Sequence, residues 1–170
     1  MKWGVAFFMW KSGCRISEAL NLKLDQKFEQ AILKQNVSDL VEFSYVPKGQ
    51  QTWGISYIKY ISADVFITLA KELGKERKKR IGSRKSEYFF INKHGKPMTY
   101  KNMQAIFKML GISSHMLRYT YAEMTRKMIA STSKPHEPTL MKSHEFLKRQ
   151  LGHKGLRTTL GYCYSGEPII

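Results

Sequence analysis

The chain holds two cysteines, Cys14 and Cys163, too few for a disulfide framework or a four-cysteine zinc site, so both are expected to be reduced thiols. It has no run approaching the roughly 18 to 20 apolar residues that a membrane-spanning helix needs. Residues 1–11 carry only a short apolar stretch and no small-residue cleavage site, which argues against a secretory signal. A soluble intracellular protein without a membrane partner is therefore expected. Acidic residues are scarce as well: 13 Asp plus Glu stand against 29 Lys plus Arg, for a net charge of +16. His94, His136 and His144 have no ligand spacing with either cysteine, so no metal site is expected.

The excess positive charge is spread out. Residues 71–85 contain eight basic and two acidic side chains, which supplies +6 and leaves +10 for the rest of the chain. A basic tail on a neutral domain is thus the wrong picture. A broad basic surface interleaved with Tyr, Phe and Trp suits a protein that follows a phosphate backbone through counterion release. Lys75, Arg77, Lys78, Lys79 and Arg80 are expected to contact phosphates, contributing affinity and not sequence preference.

With 170 residues, 42% of them hydrophobic and 25% charged, the chain is of a size and composition for one globular domain over residues 1–170. An apolar run at 5–10 reads as the end of a helix broken at Ser12-Gly13, and a short helix restarts near Arg15. Segments 40–46 and 54–60, rich in β-branched and aromatic residues, flank the turn-forming 47–51 and predict a β-hairpin. Helical spacing returns at 63–73, with the basic run as a helix end or loop. A short strand at 88–91 is followed by turn chemistry at 92–97. Helices are expected at 99–110, 114–130, 142–150 and 158–164, with a loop at 131–138, and Met103, Met109, Met124 and Met128 read as core filler. The predicted class is α+β and mainly helical, with a small antiparallel sheet beside the helices.

Four patches carry chemistry: Ser12-Gly13-Cys14-Arg15-Ile16-Ser17-Glu18, Lys48-Gly49 in the hairpin turn, His115-Met116-Leu117-Arg118, and Leu151-Gly152-His153 with Tyr162 nine residues beyond that histidine. In order and spacing they resemble the tyrosine recombinases, the phage integrase and Xer-like family. That resemblance implies a tyrosine-recombinase catalytic-domain fold and a site built from Arg15, Lys48, His115, Arg118, His153 and Tyr162, with Glu18 orienting the others. It implies double-stranded DNA as partner, an intracellular, DNA-associated location, a 3′-phosphotyrosyl intermediate and no cofactor.

Cleaving a phosphodiester without a metal requires a nucleophile, donors for the charge developing on the non-bridging oxygens, and a proton for the departing 5′-oxygen. Tyr162, the pair Arg15 and Arg118, and Lys48 meet these needs, and a guanidinium suits the oxygens because it is a rigid, permanently charged fork. By resemblance, His153 donates to the phosphate and His115 assists proton transfer from Tyr162. Lys59 is the nearest rival to Lys48 but lies in the return strand, and Tyr164 is the rival to Tyr162. Glu18 has the plainer alternative of pairing with a nearby lysine.

Three features depart from the family pattern. Few residues precede Arg15, so the chain is expected to be a fragment lacking an amino-terminal DNA-binding domain. Tyr119 stands where the family commonly has a second histidine. A short tail after Tyr162 leaves this chain alone expected as a monomer, the homotetramer on paired DNA sites belonging to the full-length protein. Alternatives are type IB topoisomerase-like strand cleavage and a non-catalytic DNA-binding module.

Overall fold

A computed structural model describes residues 1–24, 40–45, 57–132 and 137–164. Helix α1 (Lys2–Ser12) stops where Gly13 takes the left-handed conformation, φ 63°, and its N–H closes on the Met9 carbonyl at 2.9 Å. A Cβ at Gly13 would stand 2.5 Å from the Tyr121 ring, so both backbone and packing require glycine there. The chain then forms α2 (Ile16–Leu20), β1 (Leu40–Tyr45), β2 (Tyr57–Ser62), α3 (Ala63–Ile81), α4 (Tyr100–Met109), α5 (Ser114–Thr132), α6 (Glu137–Leu151) and α7 (Leu156–Tyr164). The expected class, mainly helical with a small antiparallel sheet, is the observed one.

The two strands pair antiparallel, with Leu40 opposite Ser62 and Phe43 opposite Lys59. Alternation turns Val41 and Tyr45 inward and leaves Leu40, Glu42 and Ser44 exposed. Phe8 of α1 is fully buried, and its ring meets Phe43, Phe66 and Phe90 at centroid distances of 5.8, 6.0 and 6.3 Å. One aromatic cluster thereby joins α1, the hairpin, α3 and the segment after α3. On the other side α5 is the central element, with α1, α6 and α7 all packed on it.

Of the two readings of the basic run, helix end or loop, the helix end is the observed one: α3 continues to Ile81, and Lys78, Lys79 and Arg80 occupy its last turn, where cations complement the helix dipole. Several expectations need correction. The strand expected at 88–91 is reduced to isolated bridges, Lys23 with Tyr88 and Ile91 with Pro97, because the turn around Gly95 folds the chain back at once. Helix α6 starts at Glu137, well before 142, since Pro138 falls in its first turn, where a missing N–H costs nothing. Met103 is buried, but Met109, Met124 and Met128 are exposed. Helical spacing groups residues on a face without saying which face is covered. The hairpin turn 47–51, and Lys48 with it, lies outside the described residues. Among the described residues no helix is long and apolar enough to cross a membrane, and no group of three or more metal-binding side chains forms.

Candidate active site

The Leu151-Gly152-His153 segment is a helix-ending device. Gly152 has φ 63°, its N–H bonds the Arg149 carbonyl at 3.0 Å, and the His153 N–H bonds the Lys148 carbonyl at 3.0 Å. That pattern is a Schellman motif, and it leaves the carbonyls of Leu151 and Gly152 for other donors. Two arginines take them: Arg118 reaches the Leu151 carbonyl at 2.9 Å and Arg15 the Gly152 carbonyl at 3.2 Å. Residues 103 positions apart are thus held side by side by consecutive peptide groups. Arg118 also bonds the Gly13 carbonyl, tying α5 to the segment that carries Arg15.

Only glycine fits at position 152. A Cβ would stand 2.2 Å from the Tyr45 hydroxyl and 3.2 Å from an Arg15 guanidinium nitrogen. Gly152→Ala is therefore expected to cost about 1–3 kcal/mol from the left-handed backbone alone, read by denaturant unfolding. Under the DNA-cleavage reading that the family resemblance implies, it should also slow cleavage by displacing Arg15. An alanine variant equal to the parent in both would remove the close approach from the account.

Arg15 occupies the N-cap position of α2, and its side chain remains about one-third exposed. Glu18 fixes it twice: one carboxylate oxygen accepts the Arg15 backbone N–H at 2.9 Å and the other accepts its guanidinium at 3.0 Å. Burial alone would push the Glu18 carboxyl up, but Lys59, at 2.8 Å, and then the Arg15 bonds hold it below the ordinary range. Arg118 is 2% exposed, and its Nε–H meets no acceptor among the described residues. Burial, then the like charge of Arg15, makes its protonated form less comfortable than an ordinary arginine's. Two adjoining guanidiniums, one of them desolvated, present the permanently charged fork donors that suit an anion.

Helix α7 brings Tyr162 to the same place. Its hydroxyl lies 2.9 Å from Nδ1 of His115, in the first turn of α5 and one helical turn from Arg118. Tyr119 stacks on the Tyr162 ring, with centroids 4.1 Å apart and planes at 24°, and the His153 ring lies 4.7 Å away. His153 Nδ1 is 3.1 Å from the Thr159 hydroxyl, and Nε2 faces Arg118 at 3.5 Å. Because Arg118 can only donate, Nε2 accepts in this arrangement and Nδ1–H donates to Thr159.

Burial, then the charges of Arg118, Arg15 and Lys59, lowers His153 to about 4 from its ordinary 6.5. A folded value below the unfolded one gives stability that is complete above pH 6.5 and is lost as pH falls through about 4. In thermal unfolding without DNA, the parent is expected to lose Tm over that window, and His153→Asn to lose that part of the slope. Parallel slopes would assign the titration to another group.

The structure thus brings together Arg15, Glu18, His115, Arg118, His153 and Tyr162, while Lys48 lies outside the described residues. Within the basic run, Lys75, Lys78 and Lys79 are exposed. Arg77 is used internally, on the carbonyls of Ser86 and Tyr88, and Arg80 on Glu76 and the Ile91 carbonyl. Sequence reasoning missed Thr159, the stacking of Tyr119 and the inward position of Lys59. The last was legible in principle, since Lys59 lies two residues before Ile61 and must share its face.

The fold is similar to solved structures of the XerH site-specific recombinase, one a post-cleavage complex with palindromic difH substrate and one a pre-cleavage complex with difH substrate. Their TM-scores are 0.61 and 0.59 at 20% identity, each match covering 95% of this chain. The chain spans 41% and 42% of the length of the recombinase chains in those two structures. No curated protein sequence matches it significantly. The family model described as the phage integrase family matches residues 4–166, nearly the whole chain and every described residue of the site. The chain belongs to the phage integrase family.

Proposed function

We propose that this chain is the catalytic domain of a site-specific DNA recombinase or integrase that works through a 3′-phosphotyrosyl intermediate. The observation that carries the reading is the Tyr162 hydroxyl 2.9 Å from His115, on a helix packed against the one that bears Arg118. Tyr162 attacks the phosphorus of a DNA phosphodiester as His115 takes its proton. Arg15 and Arg118 stabilise the charge on the non-bridging oxygens. The bond to the 5′-oxygen breaks, and Lys48 supplies the proton that makes it a 5′-hydroxyl. Rejoining reverses these steps with a 5′-hydroxyl as nucleophile, so no external energy source is consumed.

A phosphate between the arginines would offset the Arg118 and Arg15 charges, two of the three that depress His153. Its protonation would then become easier, and with a proton on Nε2 it can donate to the bound phosphate. Lys75, Lys78 and Lys79, exposed on α3, supply phosphate contacts outside the cleavage site, while Arg77 and Arg80 act there through the segment they hold. The working assembly belonging to this proposal is a homotetramer on paired double-stranded DNA sites.

The test is an SDS-stable protein–DNA adduct on a nicked suicide substrate, whose released fragment cannot religate. Adduct accumulation with a free 5′-hydroxyl is expected, and DNA binding without any adduct would reduce the chain to a binding module. Affinity should fall steeply with salt, since a basic surface binds by releasing counterions. A flat salt response would remove the polyanion reading.

A further inference from the structure

Alternation along β2 turns Lys59 into the interior and leaves its neighbours Ile58 and Tyr60 facing solvent, 47% and 42% exposed. Lys59 itself is 0% exposed. Most strands place such residues the other way round, because burying an ammonium is unfavourable unless it is paired and hydrogen-bonded. Here Nζ lies 2.8 Å from a Glu18 carboxylate oxygen and 4.6 Å from the centroid of the Tyr45 ring. The oxygen that accepts Lys59 also accepts the Arg15 backbone N–H, while its twin accepts the Arg15 guanidinium. Glu18 is thus a hub between a buried strand lysine and an arginine of the site.

The charge arithmetic gives Lys59 a role. If Glu18 paired with Arg15 alone, the two would neutralise each other, and Arg15 would be a poor receptor for a phosphate. With Lys59 added, Arg15, Arg118 and Lys59 against Glu18 leave a net +2 around the carboxylate. We infer that Lys59 is a positioning residue of the cleavage site: it anchors the Glu18 carboxylate and offsets its charge, so that Arg15 is fixed in place while remaining available to a phosphate. The inference rests on the proposed DNA-cleavage reading of the site.

The ionisable groups facing this hub are Cys14 and Arg15 from the segment joining α1 and α2, Tyr45 from β1, Lys59 from β2, Arg118 from α5 and His153 from the turn between α6 and α7. Burial raises Cys14 and Tyr45 and lowers His153, so near neutral pH these three carry no charge. Glu18 therefore depends on Lys59 and the arginines to stay ionised, and Lys59 is its largest favourable partner.

The experiment pairs a titration with kinetics. The Glu18 side-chain carboxyl, assigned by its loss in Glu18→Gln, is followed by carbon NMR against pH in the DNA-free parent and in Lys59→Met. The parent carboxyl is expected to titrate below 4.5, and the variant's at least about one pH unit higher. On the suicide substrate, Lys59→Met should cleave about tenfold or more slowly with DNA affinity little changed, most severely at acid pH. Lys59→Arg should recover most of the rate. Replacing the bridging 5′-oxygen by sulfur, which leaves without a proton, should not rescue Lys59→Met.

An unmoved carboxyl titration, or a Lys59→Met variant cleaving at the parent rate, would overturn the inference. Rescue by sulfur would overturn it too, making Lys59 the proton donor itself. Should Lys59→Met not fold, Lys59→Met with Glu18→Gln removes both buried charges; a rate equal to that of Glu18→Gln alone supports the hub, and a further multiplicative loss refutes it. If the parent forms no Tyr162-dependent adduct, the cleavage reading fails, while the titration still judges the link from Lys59 to Glu18.

Discussion

Tyr162→Phe is expected to abolish the covalent DNA adduct while leaving DNA affinity nearly unchanged. The substitution removes one hydroxyl, and the ring that stacks on Tyr119 at 4.1 Å and lies 4.7 Å from His153 is retained. Local packing should therefore survive, and the phosphate contacts that dominate affinity lie on other side chains. The expected readout is complete loss of the SDS-stable species on a suicide substrate, with an unchanged binding isotherm. Because residues two apart on a helix point roughly 200° apart, Tyr162 and Tyr164 cannot both serve. Adduct formation by the Phe variant, together with its loss in Tyr164→Phe, would falsify the assignment of the nucleophile.

Arg118→Ala and Arg15→Ala are each expected to slow cleavage by about 10² or more, the scale of losing a donor to charge that develops in the transition state. Binding should fall much less, and equal losses in both would make the arginines uniform phosphate contacts. The two differ in what else they remove. Arg118 is almost fully buried and bridges the Gly13 and Leu151 carbonyls, so alanine leaves two buried acceptors unpaired and should lower Tm as well. Arg15 is partly exposed and should lower it less. Arg118→Lys separates the contributions: it keeps the charge but cannot reproduce the fork, so it should remain slow in cleavage. A lysine variant at the parent rate would show that charge alone suffices there.

Much of the site was legible because its chemistry is written in local spacing. His115 and Arg118, three apart at the start of a helix, must share a face, and Gly152 before His153 marks a helix end whatever surrounds it. The helix breaks at Gly13 and Gly152 follow from backbone sterics, which act within a few residues. Where expectation failed, the deciding partner was remote. For the basic run, good helix formers without an apolar stripe left helix end and loop both open, and Arg77 secures the helix through the carbonyls of Ser86 and Tyr88. Met109 and Met103 lie on the same helix, yet one is 75% exposed and the other fully buried.

The sequence by itself determined the α+β class and the distributed positive charge, since these depend on residue type, short-range periodicity and composition, and through its motif spacing it singled out Tyr162, Arg15 and Arg118 as candidates. Only the tertiary structure decided how they are connected. The Leu151 and Gly152 carbonyls grip Arg118 and Arg15, and Lys59 turns inward to Glu18 across 41 residues. Hydrogen bonds and ion pairs of this kind form between groups brought close by packing, and a strand's alternation states which residues share a face but not which face meets the core. Lys59 shares its face with Ile61, and only the packing that buries that face brought a lysine in a return strand to the Glu18 carboxylate.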